Sequence, residues 1–211
     1  MVTIVIAMGA LLSSAAVARR PAAPKTAVAL ETEAGVIVIA IQAKEAPASS
    51  GAFLAQVRGG RYDGGSFFRT VRPDTDTSQI PIRVIQGGTR DDGVPLAEAP
   101  IAHEDTRRTG LTHVDGAVSL PRAGIGTTTA TSFFVSVGAQ PALDFGGMRN
   151  PDGQGFAVFG KVICGMDVVR AIQSRPTSAS SPSPAMQGQI LEAPVRILRA
   201  RITQPRCAKR G

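Results

Sequence analysis

The sequence predicts a mainly β domain whose sheet closes into a barrel. Three observations carry this. About eight short segments combine β-branched and aromatic residues with polar ones and end in Gly or Pro turn signals. Only two stretches show helical apolar spacing, and nothing repeats the regular strand–helix alternation of a parallel α/β sheet. Closing about eight strands removes exposed edges and leaves an interior that side chains can fill.

Taken in order, residues 27–32 and 36–41 are two strand candidates separated by a turn at 33–35. In APASSGAFLAQVRGG, Pro47 stands near a helix start, Phe53, Leu54 and Val57 have helical spacing, and Gly59 and Gly60 stop it. GGSFFRTV, residues 64–71, is a strand after a Gly-Gly turn. Strict alternation puts Phe67, Arg69 and Val71 on one face and Ser66, Phe68 and Thr70 on the other. A guanidinium then shares a face with two apolar side chains. Either its stem packs while its head reaches water, or the charge has a chemical task. A polar loop, 72–79, leads to the strand IPIRVIQGG, 80–88, and a charged, loop-rich middle follows over 89–108. GAVSL (116–120) and SFFVSVG (132–138) are strands around a Gly/Thr loop at 124–129. The Gly-rich segment 145–155 precedes the strand FAVFGKV, and GMDVVRAIQS is the second helix. A Ser/Pro linker, 176–184, reaches a last strand, PVRILRARI.

At 211 residues the chain suits one domain, 26–204, plus appendages, and 43% hydrophobic content suffices for a packed core. With no Trp and one Tyr, Phe and aliphatic residues must build that core. The net charge of +7 invites a nucleic-acid partner, but the basic residues stand singly or in pairs without interleaved aromatics, so no nucleic acid is expected. The first 18 residues carry no charged side chain, and an apolar run from Val2 to Leu12 ends in the small residues Ala16-Val17-Ala18. This reads as a signal peptide over 1–18 with an A-x-A-like cleavage site, followed by a Pro/Ala tether at 19–25. The expected location is periplasmic or secreted. No Lys or Arg precedes the run, so an uncleaved anchor or an internal apolar segment stays open, although the run is short of the roughly 20 residues that span a bilayer. Residues 205–211 form a basic tail. Cys164 and Cys207 would meet oxidising conditions after export, but spacing does not show whether they pair. With only His103 and His113 and no Cys–x–x–Cys pattern, neither metal nor other cofactor is expected.

The order of motifs YDGGSFFRTV, VIQGG, HVDGAVSL, TSFFVSVG and FAVFGKVICGMDVV resembles the cyclophilin-type peptidyl-prolyl cis–trans isomerases. The long loop between FFRTV and VIQGG and the segment LDFGGMRNPDGQGFAVFG look like an exported bacterial branch. The resemblance implies a closed eight-stranded antiparallel barrel capped by two α-helices. Its substrates would be X–Pro bonds of unfolded or exported polypeptides, met by a monomer with no stable membrane insertion once the leader is removed. An X–Pro amide exchanges slowly because rotation breaks its resonance over a barrier of roughly 18–20 kcal/mol. What accelerates it is a group that binds the twisted amide better than either planar form. Arg69 matches the family's catalytic arginine, whose N–H would meet the prolyl nitrogen lone pair that twisting restores. Gln86 matches the glutamine that orients this arginine and holds substrate backbone. Phe134 matches the floor of the proline pocket, with Phe133 turned into the barrel by alternation.

The same resemblance assigns Val84 and Leu143 to the pocket wall and Phe156 to a position of histidine or an aromatic. The backbone of Pro121 and Arg122 would pair with the substrate as an added strand. Departures are Arg83 where an aromatic usually lines the pocket, Ser132 where glutamine or an acid is usual, and Pro121, which removes a backbone donor. These predict reduced activity and weak binding of cyclosporin-type ligands. They also keep a rival open, a non-catalytic module that holds proline-containing segments. A hydrolase built on Ser119, His103 and His113 lacks a nucleophile-elbow signature, and the two histidines are expected to make loop or strand-end hydrogen bonds.

Overall fold

The computed structural model describes residues 24–90, 99–178, 180–181 and 183–207. The leader expected at 1–18, most of the tether and the last four residues lie outside the described residues. The strands are β1 (Thr26–Thr32), β2 (Gly35–Ile41), β3 (Ser66–Val71), β4 (Val84–Gly88), β5 (Ala117–Leu120), β6 (Ser132–Ser136), β7 (Ala157–Cys164), the two-residue β8 (Thr177–Ser178) and β9 (Ile190–Thr203). The helices are α1 (Pro47–Arg58), the single turn α2 (Thr106–Thr109) and α3 (Met166–Gln173). Every pairing is antiparallel. The order β1-β2-β7-β5-β6-β4-β3-β9 is closed by a β9–β1 ladder, and β8 hangs on β9.

This is the eight-stranded barrel that the alternating segments predict. Leu30, Ile37, Ile39, Ile85, Val118, Phe133 and Val135 point inward and are fully buried. Phe53 of α1 packs its ring against Tyr62, Phe133 and Phe159 at centroid distances of 5.1, 5.5 and 4.8 Å. Val169 and Ile172 of α3 bury into the same core. Burying such side chains contributes roughly 1.5–3 kcal/mol each. Ala46 gives α1 no side-chain cap. The Glu104 carboxylate, remote in sequence, accepts the free N–H groups of Ala48 and Ser49 and complements the helix dipole.

Four local readings change. The segment 80–83 is not strand: Pro81 offers no donor, and the Ile82 N–H is taken by Asp76, so β4 begins at Val84. α2 exists because Asp105 caps it, accepting from the Arg108 N–H at 3.0 Å. β9 begins at Ile190, ahead of Pro194, whose missing N–H falls where the β3–β9 register slips between Phe67 and Arg69. The face assignment of β3 is also corrected. A β-bulge leaves Phe68 without a partner, since Phe67 pairs with Gly87 and Arg69 with Gln86. The bulge shifts the alternation by one. Phe67 therefore enters the barrel core, whereas Val71 joins a separate outer cluster with Ile82, Val84, Phe134 and Leu143. Arg69 thus lies beside Val71 and away from Phe67.

Cys164, the last residue of β7, and Cys207 form a disulfide with Cα atoms 5.7 Å apart. It ties the segment after β9 to the barrel and closes 43 residues. A loop of that length constrains the unfolded chain by up to ~4 kcal/mol. Reduction, or the double change Cys164→Ser and Cys207→Ser, is expected to lower the melting temperature by about 5–15 °C. An unchanged transition with and without reductant would show that the bridge adds no stability.

Candidate active site

The bulge at Phe68 and the antiparallel registers align four residues in one row across adjacent strands. Arg69 faces Gln86, Gln86 faces Phe134, and Phe134 faces Ser119. Directly paired residues present side chains to the same face of a sheet. Gln86 is followed by Gly87 and Gly88 because β4 runs tightly there. A Cβ on Gly87 would lie 2.9 Å from a Phe67 ring carbon, and one on Gly88 2.9 Å from the Thr131 carbonyl oxygen.

Arg69, Gln86 and Phe134 of this row open on a cavity of about 310 Å³ on the barrel's outer face. Eight of the nine residues that the sequence singles out line it: Arg69, Val84, Gln86, Pro121, Arg122, Phe134, Leu143 and Phe156. Ser132 does not. It touches the site only through its Oγ, 3.5 Å from Gln86 Nε2. Arg83 is exposed and takes no part in the lining, and Ile82 supplies that wall instead. Phe134 is nearly buried, with Phe156 edge-on to it at 5.7 Å and 89°.

The guanidinium of Arg69 is held from both sides. Nη1 donates to Gln86 Oε1 at 2.9 Å, while Nε and Nη2 donate to Gln189 Oε1 at 2.9 and 2.5 Å. These bonds use three of its five N–H groups and leave two free to meet a ligand. Burial and, after it, the nearby Arg149 push its pKa below the usual arginine range, yet a guanidinium stays charged at any relevant pH. Arg149 is itself bound to Asp76 Oδ2 at 2.7 Å and to the Ile80 carbonyl at 2.7 Å.

Gln189 is the residue that sequence reasoning missed. It is 2% exposed, lies 120 positions from Arg69, and donates from Nε2 to the Thr75 carbonyl. No local pattern in MQGQIL distinguishes it from a loop glutamine. Arg122 also has a role that its backbone assignment hid. Its side chain is buried, donates to the Gly155 carbonyl at 2.8 Å, and forms a two-pronged pair with Asp152 at 2.6 and 2.8 Å. The pair holds the Asp152 carboxyl at about 2. A carboxyl lowered in the folded state stabilises above its ordinary pKa of 3.8 and loses that contribution only as pH falls towards 2, so this clamp is intact at neutral pH. The Arg122 guanidinium also sits over the Phe156 ring, 5.3 Å from its centroid.

His103 and His113 both make hydrogen bonds, with Gln154 and with Asp144 and Ser119 respectively. Among the described residues no three His, Cys, Asp or Glu side chains converge to hold a metal ion, and no helix is long and apolar enough to cross a membrane.

The model of the family described as cyclophilin type peptidyl-prolyl cis–trans isomerase matches residues 27–201. A peptidyl-prolyl cis–trans isomerase of Acinetobacter baylyi is 31% identical over 208 residues, covering 98% of both chains. The isomerase cyp18 of Streptomyces antibioticus is 36% identical over 155 residues, 72% of this chain and 86% of its own. In fold, a crystal structure of a cyclophilin type isomerase from Cryptosporidium parvum superimposes with a TM-score of 0.61 at 17% identity, covering 86% of this chain and 99% of the other.

Proposed function

The chain belongs to the cyclophilin-type peptidyl-prolyl cis–trans isomerases, and on that premise we propose that it accelerates X–Pro rotation in exported polypeptides with Arg69 as the catalytic group. The observation that carries this reading is the row Arg69–Gln86–Phe134 around a cavity, with two guanidinium N–H groups unused.

The prolyl ring rests on Phe134 between Leu143 and Phe156. Its chain runs extended past Gln86 and the Pro121–Arg122 backbone. As the amide twists, the prolyl nitrogen becomes pyramidal and regains a lone pair, which accepts from Arg69. A planar amide nitrogen has no lone pair to offer, so the bond forms chiefly in the transition state and raises kcat. Each ~1.4 kcal/mol of that preference gives about tenfold in rate. No bond is made or cut, so the residues need only bind and orient. Export is supported by the leader-like residues 1–18 and by the Cys164–Cys207 bridge, a bond that persists in oxidising compartments.

The test is cis-to-trans exchange of an Ala-Ala-Pro-Phe peptide followed by NMR line exchange. Clear acceleration is expected, and because Arg69 does not titrate near neutrality, kcat/KM should stay flat from about pH 6 to 9. Pro121, which withholds one N–H from the groove, favours the rival binding module. A peptide that binds without acceleration would hand the case to that rival.

A further inference from the structure

Ser119, His113 and Asp144 form a relay that the isomerase chemistry does not use. His113 Nδ1 lies 2.7 Å from Asp144 Oδ1, and its Nε2 lies 2.8 Å from Ser119 Oγ. Asp144 Oδ1 also accepts the His113 backbone N–H at 2.9 Å. An ionised carboxylate can only accept, so Nδ1 carries the proton and Nε2 accepts from the Ser119 hydroxyl. The same residue types in this order activate the nucleophile of serine hydrolases. Here that use fails on access, because Ser119 and His113 are 0% and 1% exposed and neither lines the cavity.

What the relay does reach is the apolar wall of the pocket. The imidazole lies parallel to the Phe134 ring, 5.8 Å between centroids and 8° between planes. Asp144 follows the turn Pro141–Leu143, whose Leu143 is a cavity wall. The Leu143 carbonyl accepts the Phe156 N–H at 2.9 Å, and the His113 carbonyl accepts the Gln140 N–H at 2.7 Å. Phe134, Leu143 and Phe156 are therefore all tied to His113, by ring contact or through hydrogen bonds.

We propose that His113 is a positioning residue for the proline pocket: clamped between Asp144 and Ser119, it fixes the plane of Phe134 and the seat of Leu143, and so sets how tightly the prolyl ring is held beneath Arg69. The inference rests on the isomerase reading of the cavity. The floor touches the prolyl ring in the cis, trans and twisted forms alike, so loosening it removes uniform binding and raises KM more than it lowers kcat.

In the full chain, His113→Ala is expected to raise KM for Ala-Ala-Pro-Phe about 5–10-fold, with kcat within about twofold. Ser119→Ala, which deletes one hydroxyl and frees Nε2, should raise it about two- to threefold, and it decides the matter if the first variant does not fold. A role confined to stability would lower the melting temperature and leave KM of the folded enzyme unchanged, which overturns the proposal. Imidazole nitrogen NMR gives a second readout. Asp144 is the charged group that bonds the ring. Its stacking partner Phe134 from β6 and its hydrogen-bond partner Ser119 from β5 carry no charge. Burial holds the imidazole pKa below its ordinary value, so the neutral Nδ1–H tautomer should predominate at neutral pH. An imidazole that titrates near 6.5 would overturn the clamp. Wild-type protein without acceleration would remove the isomerase reading instead. The dissociation constant of the same peptide, which needs no turnover, would still rise in both variants if His113 sets the floor.

Discussion

Arg69→Ala is expected to cut kcat/KM for an Ala-Ala-Pro-Phe peptide about 10²–10³-fold, the usual loss when one preorganised donor to a transition state is removed. The fold should survive. Arg69 lies on the outer face of the barrel, and its partners Gln86 and Gln189 lose a donor at a site that water can enter. Arg69→Lys separates charge from geometry. An ammonium keeps the charge but cannot bond Gln86 and Gln189 while presenting two further N–H groups to the substrate. It should recover only a small part of the lost rate. KM should move little in either variant, because in the proposed mechanism Phe134, Leu143 and Phe156 hold the prolyl ring whether or not the amide is twisted. Acceleration that survives Arg69→Ala would sink the assignment of this residue and with it the mechanism.

The barrel was legible because its strands obey the period of two wherever one face is buried. Ile37, Ile39 and Ile41 share the core face while Val38 joins a separate cluster, and Phe133 and Phe134 divide between core and pocket as alternation requires. The pocket was legible as a set of residues, through the resemblance of five motifs, but not as a geometry. Alternation across GGSFFRTV fails at Phe68, since the bulge is set by pairing with the partner strands β4 and β9, the second of which lies far off in sequence. Arg83 reads as a pocket residue by position, yet Asp76 takes the Ile82 N–H, the chain there stays out of the sheet, and Arg83 turns to solvent. The relay of His113, Ser119 and Asp144 joins a loop, a strand and a turn, none of which signals the others. Alternation and caps are local and can be read. Hydrogen bonds between side chains far apart in sequence leave no local trace.

Gln189 is the sharpest case, and it gives the second large expected effect. Its Oε1 accepts from both Nε and Nη2 of Arg69, so it fixes the plane of the guanidinium, while Gln86 fixes its far edge. Gln189 does not line the cavity. Gln189→Ala should therefore lower kcat about tenfold and leave KM within about twofold, because a donor free to rotate aims less often at the prolyl nitrogen. The lost buried bonds should cost about 1–2 kcal/mol of stability. Gln189→Glu holds the fork by charge-assisted bonds but draws some of its positive field away from the substrate. The expected order of kcat is wild type, then Gln189→Glu, then Gln189→Ala. A glutamine that acts only through Arg69 has nothing to do once the arginine is gone. In the Arg69→Ala background, Gln189→Ala should then change kcat no further, and the double-mutant cycle should show full coupling. If the two losses add, Gln189 acts on the substrate or the fold by another route, and its place behind the guanidinium is incidental.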